Sequence, residues 1–286
     1  MDQKLKQAAI ELYDRFTHDA LDRRVFMTRM VALAGSVAAA EALIEAIAAS
    51  PAAAAIVPAD DPRLTTRTQD VVGGYKAYVA EPRTRSLKAT VLVIHENRGL
   101  NDHIRDVARR LGVAGFRAVA PDFLSPVGGT PANEVAAREA IGKLDLGKSV
   151  SDAVAMLDEL AKSSRGGKVG AVGFCWGGGF VNRLAVAAGN KLHAGVSYYG
   201  PAPDPTEAPK VQAPLLIHDA GLDDRVNGTS FPWVEALRAA KRPVKFYLYE
   251  GVNHAFNNDT SAERYNKAAA DLAWKRTLDF FKQHLG

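Results

Sequence analysis

The sequence predicts an α/β protein: a mostly parallel sheet with helices on both faces, preceded by an N-terminal helical extension. Three observations predict it. Short apolar runs, such as residues 89–95 and 169–174, alternate with longer amphipathic stretches, the rhythm of strands joined by crossover helices. Those runs are continuously apolar, as strands buried on both faces are. Residues 1–55 differ in character, being helical, rich in Ala and free of strand signals. They read as a segment apart, with 56–286 forming one α/β domain.

The elements follow in order. Val71-Val72 and residues 75–80 flank Gly73-Gly74, a hairpin pattern. The strand at 89–95 leads into His95-Glu96-Asn97-Arg98-Gly99-Leu100 and a helix over 102–114. A strand at 117–120 is closed by Pro121-Asp122, and a Gly- and Pro-rich loop covers 125–131. Helices are expected near 132–140 and 149–162. A strand over 168–174 is followed by a sharp turn and a helix reaching Ala188. Strands at 194–199 and 214–218 are separated by a Pro-rich loop, 201–213. A helix over 231–240, a strand over 244–249 and a long helix over 261–284 complete the chain.

Composition excludes several functions. The 286 residues are 47% hydrophobic and 24% charged, ordinary for a globular protein. Net charge is +4 without a long basic run. Arg109-Arg110, Lys241-Arg242 and Lys275-Arg276 therefore read as solvated helix surface, and no nucleic-acid partner is expected. The single Cys rules out an internal disulfide or a Cys-rich metal site. The seven His lack the H-x-x-x-H spacing of a zinc helix. No uncharged apolar run is long enough for stable membrane insertion.

In the N-terminal segment, Arg23-Arg24 precede an apolar stretch over 30–40, and small residues follow at 52–55. Paired Arg, apolar region and A-x-A site make a twin-arginine export signal. A mature chain would then start near Ile56, in the periplasm or outside the cell. The alternative is a cytoplasmic protein with an uncleaved N-terminal helix packed on the domain or on a partner subunit. Glu41 and Glu45 interrupt the apolar stretch and favour that alternative.

The chemistry centres on Gly173-Phe174-Cys175-Trp176-Gly177-Gly178-Gly179. G-x-C-x-G between a strand and a helix is a nucleophile elbow carrying Cys. Glycines two before and two after the nucleophile remove side chains that would strike the neighbouring strand and helix. A thiolate needs a base and an orienting acid, which in this architecture follow it on loops after later strands. Asp223 and His254 occupy those places. Asp224 competes with Asp223, but Asp223 lies three residues before the apolar anchor Val226. His95 and His218 close strands and read as packed. The oxyanion needs two donors, expected from the Trp176 amide and from the loop near Asn97. Glu96 in that loop either contacts the thiol or pairs with Arg98 or another Arg. Phe123, Trp176, Tyr198, Tyr199, Phe231, Trp233 and Phe256 are candidates for an apolar pocket, about half of them facing the site.

At these residues the chain resembles the dienelactone hydrolase (carboxymethylenebutenolidase) family, the cysteine branch of the α/β-hydrolases. The resemblance covers about 65–286. It rests on residues 95–100, Ala120-Pro121-Asp122, residues 173–178, Gly221-Leu222-Asp223 and Asn253-His254-Ala255-Phe256. It implies an α/β-hydrolase fold with nucleophile, acid and base on Cys175, Asp223 and His254, and with Glu96 as the glutamate that contacts the resting thiol. It implies hydrolysis of a small-molecule ester or lactone through a thioester, with no metal or organic cofactor. It leaves a homo-oligomer open. The family members that act on carboxylated lactones carry an Arg shortly after the catalytic His, and Ala255-Phe256-Asn257-Asn258 contains none. The rival readings are a thiol-redox protein, disfavoured by the lack of a second Cys, and a non-catalytic binding module.

Overall fold

The computed structural model describes residues 3–18, 21–48, 55–84 and 89–286. Its strands are β1 (Leu64–Val71), β2 (Tyr75–Pro82), β3 (Thr90–Ile94), β4 (Arg117–Pro121), β5 (Val169–Phe174), β6 (Ala194–Tyr198), β7 (Leu215–Ala220) and β8 (Val244–Tyr249). They form one sheet in the order β1-β2-β4-β3-β5-β6-β7-β8. β2 is antiparallel to both β1 and β4, and every other pair is parallel. This is the α/β-hydrolase architecture, and it sets the carboxyl ends of β3, β5, β7 and β8 along one edge.

Strand periodicity explains the two cores. On β3, Val91 and Val93 face one apolar cluster while Leu92 and Ile94 face the other, as alternating side chains must. The first cluster takes Ile104, Val107 and Leu111 of α4 (Asp102–Val113) and Phe280 and Phe281 of α9 (Lys267–Leu285). The second takes Met156 and Leu157 of α6 (Leu146–Ser163), Phe180 and Leu184 of α7 (Trp176–Ala187), and Trp233 and Leu237 of α8 (Asp224–Ala239). The small helix α5 (Glu134–Gly142) packs Ala137 and Ile141 on Leu124.

Three expectations need correction. α8 starts at Asp224, well before 231, because Asp223 caps it by accepting the Val226 amide and because Pro232 lies on its exposed face. A proline there removes one hydrogen bond on the side where water can replace it. α9 starts at Lys267, capped by Asn266, and residues 261–266 are turns in place of helix. Arg109 is buried and Arg110 half-buried: Arg109 Nε donates to the Val57 carbonyl at 2.6 Å, and Arg110 pairs with Asp106 and Asp259. The acids on and opposite that face of α4 make burial of two guanidiniums tolerable.

The N-terminal residues form α1 (Gln3–His18), α2 (Arg23–Ala34) and α3 (Val37–Ile47). Asp22 caps α2, Gly35 ends it at φ 84°, and Ser36 caps α3. The apolar stretch over 30–40 is thus split into two helices. No single helix among the described residues is long and apolar enough to cross a membrane, and α2 and α3 meet at 104°. Ala9, Ile10, Leu12, Phe26, Met30, Leu43 and Ile47 give the three helices an apolar core of their own. Residues 49–54, which include most of the A-x-A stretch, lie outside the described residues.

Candidate active site

Cys175 sits in the turn between β5 and α7 at φ 54° and ψ −115°, a strained backbone for a residue with a Cβ. Its amide donates to the Tyr198 carbonyl at 3.0 Å, and its carbonyl accepts from Gly179 at 3.0 Å. A Cβ on Gly173 would overlap the Gly177 carbonyl, and one on Gly177 would overlap the carbonyls of Ile94 and His95. The predicted steric reason for both glycines therefore holds. Trp176 is the first residue of α7, so its amide has no acceptor within the helix.

The loop after β3 is pinned beside this turn. His95 Nδ1–H donates to the Glu96 carbonyl at 2.7 Å, and Nε2 accepts from the Phe123 amide at 3.2 Å. Burial pulls its pKa down, which suits a neutral ring with both nitrogens used. Its ring stacks on Trp176 at 5.3 Å. His218 is likewise packed, between the Tyr249 and Thr277 hydroxyls. Both histidines are structural, as their places at strand ends suggested.

His254 and Asp223 come from turns after β8 and β7. His254 Nδ1–H donates to Asp223 Oδ2 at 2.5 Å, and both residues are buried. Asp223 Oδ1 also accepts from Val226, which fixes the carboxylate. Burial disfavours the charged imidazole, but the charges of Asp223 and Cys175, with a hydrogen bond to each, outweigh it and raise the His254 pKa. Burial would raise the Asp223 carboxyl, but His254 holds it below the usual carboxylate range. Asp224 points to solvent from the first turn of α8.

Cys175 and His254 share one cleft with Thr17, Glu96, Asn97, Arg98, Ala255 and Arg264. Glu96 does not pair with Arg98. Its Oε2 accepts from Asn258 Nδ2 at 2.7 Å, and its buried Oε1 has no hydrogen-bond partner. Arg98 donates instead to the Tyr13 hydroxyl at 2.9 Å and pairs with Glu134. The Asn97 side chain donates to the Thr17 carbonyl at 3.2 Å. Among the described residues, none of the seven candidate aromatics lines this cleft. Trp233 and Tyr198 are core, and Phe231 is exposed. Tyr199 packs its ring on His254 at 5.0 Å.

Sequence reasoning missed Arg264, Asn258 and Thr17. Arg264 was hidden in a stretch read as helix, although the turns at 261–266 carry it into the cleft. Thr17 belongs to a segment whose packing no local pattern reveals. Chemically, a thiol beside an imidazole–carboxylate pair and a free helix amide suits attack on a carbonyl carbon.

Comparison with known proteins agrees. Residues 75–285 match the family model described as "Dienelactone hydrolase family". An Escherichia coli O157:H7 protein named "Putative carboxymethylenebutenolidase" is 32% identical over 259 residues, covering 84% of this chain and 94% of its own length. A crystal structure from Klebsiella pneumoniae, named as a "Putative Dienelactone Hydrolase", superposes with a TM-score of 0.68 at 27% identity, covering 77% of this chain and 99% of the other. The dienelactone hydrolase of Anabaena variabilis shares the fold at a TM-score of 0.62 and 22% identity, covering 78% and 100%. With its sheet order, its elbow and a match over most of its length, the chain belongs to the dienelactone hydrolase family.

Proposed function

We propose that this carboxylic-ester hydrolase works by acyl transfer to Cys175, with His254 as base and Asp223 as the acid that orients it. The hydrogen bond from His254 to the buried Asp223, in the cleft that also holds Cys175, carries this reading. The Cys175 thiolate attacks the ester or lactone carbonyl. The Trp176 amide and a backbone amide near Asn97 stabilise the oxyanion, and His254 protonates the leaving oxygen. Water activated by His254 then hydrolyses the thioester. Glu96 faces the same cleft and acts on the resting thiol. No step calls for a metal or an organic cofactor.

Intact-mass spectrometry on protein mixed with activated esters and lactones, an enol lactone among them, tests this. The expected result is a transient acyl adduct on Cys175 with product release. Cys175→Ala should lose both adduct and turnover. Asp223→Asn should lower kcat by about 10²–10⁴, while Asp224→Asn should leave it unchanged. Turnover surviving in Cys175→Ala would end the mechanism.

The same reading extends to location: residues 1–55 act as a twin-arginine leader, and the mature chain works outside the cytoplasm. Arg23 and Arg24 are exposed at the start of α2, where a receptor can reach them. The mass of the protein recovered from the periplasm of an expressing cell decides this. A chain beginning near Ile56 supports export, and full-length chain confined to the cytoplasm refutes it.

A further inference from the structure

The cleft at Cys175 is narrow, and Cys175 and His254 are buried in it. It encloses about 10 Å³, roughly the room for one water, whereas sites that hold small molecules run to about 300–1,000 Å³. Thr17 lines the cleft, and contacts along α1 bind it to the loops that carry the site. Gln7 Nε2 donates to Asn253 Oδ1, beside His254, at 2.9 Å. Lys6 pairs with Glu263. The Tyr13 hydroxyl accepts from Arg98, and Asp14 Oδ1 accepts from Arg264 Nη1 at 3.1 Å. The Phe16 and Thr17 carbonyls accept from Arg138 and Asn97. Two guanidiniums and one amide of the cleft are thus engaged by a single helix.

These tethers differ in kind from what holds each body together. α1–α3 keep an apolar core separate from the two clusters on the sheet. The tethers are hydrogen bonds, the Ser261 hydroxyl donating to the Ile47 carbonyl among them, ion pairs, and the stacking of Arg138 on Phe16 and of Arg264 on Tyr13, contacts of polar groups that water can solvate once they part. The three helices can therefore lift as one body with neither core opened. The fold is also complete without them: the family model begins at residue 75, and the Klebsiella structure is matched over 99% of its length by 77% of this chain.

We propose that α1–α3 form an autoinhibitory cap, which bars esters from Cys175 when docked and must swing away or be removed before acyl transfer. The inference concerns the regulation of the site assigned above and rests on that assignment. Asp14 and Tyr13 act as its latch, because they hold the cleft arginines Arg264 and Arg98.

Cys175 is the only cysteine, so alkylation of the full-length protein reports cap opening directly. Labelling by iodoacetamide and by a bulky aryl maleimide would be followed by intact mass in the wild type, in the triple variant Gln7→Ala/Tyr13→Phe/Asp14→Asn, and in Lys6→Ala/Gln7→Ala. The latter pair alters only partly exposed side chains of α1, and so keeps the test usable if the triple variant misfolds. Opening is common to both reagents, so both should label the triple variant faster than wild type by the same factor, at least about tenfold for three lost tethers. The pair should show a smaller rise, again equal for the two reagents. Equal labelling of all three proteins, or a rise for the small reagent alone, overturns the cap. Labelling needs no turnover, so the two readings separate. Faster labelling without ester hydrolysis in any protein keeps the cap and sinks the hydrolase. Equal labelling with brisk hydrolysis does the reverse.

Discussion

Asp219 shows how one buried carboxyl can govern stability without joining the chemistry. It sits on β7, wholly buried, four residues before Asp223, and its oxygens have no well-formed hydrogen bond. Burial dominates and pushes its pKa up to about 7, with Ser230 opposing and Asp223 adding to the rise. An acid whose folded pKa lies above its unfolded value of about 3.9 favours folding below that value. The advantage is lost as pH climbs through about 7, where the folded state must bury a carboxylate. Asp219→Asn should therefore change stability little at pH 4 and raise it by a few kcal/mol at pH 8, read from urea midpoints at the two pH values. A variant equally affected at both would show that Asp219 has the same pKa in the folded and unfolded chains.

At the scale of elements, the strand–elbow–helix unit is the most constrained part of the molecule. β3, the elbow and α7 interlock through Gly177, where a methyl would strike the carbonyls of Ile94 and His95. Gly177→Ala should cost about 1–3 kcal/mol by overpacking and should lower turnover, because the loop that frames the oxyanion moves with β3. Thermal melts and esterase rates read both effects, and an unchanged melting point would refute the interlock. This unit was legible in the sequence because steric rules fix it within a few residues. Strand ends gave Asp223 and His254 for the same reason. The limits of α8 and α9 were not legible, because they depend on caps at Asp223 and Asn266 that override an interior proline and an apparent helical run. The side chain of Asn97, in the loop expected to supply an oxyanion donor, bonds the Thr17 carbonyl. That contact joins residues far apart in the chain, and no short-range pattern carries such information.

In the molecule as a whole, ionic contacts replace the separations that the sequence suggested. Arg109 and Arg110 looked like surface and instead tie α4 to Val57 and Asp259. The N-terminal segment reads in the sequence as an export leader or as a helix packed on the domain, and in the structure Thr17 of α1 lines the cleft that holds Cys175. Long-range burial decides both, and composition cannot foresee it. A last consequence follows from the depth of Cys175, which is only 4% exposed. An accessible lone thiol invites two chains to cross-link through air oxidation, and an oxidising medium favours such bonds. Here, with α1–α3 in place, the sulfur is shielded from its counterpart on another molecule. The full-length chain can thus be handled without a reductant and remain covalently single.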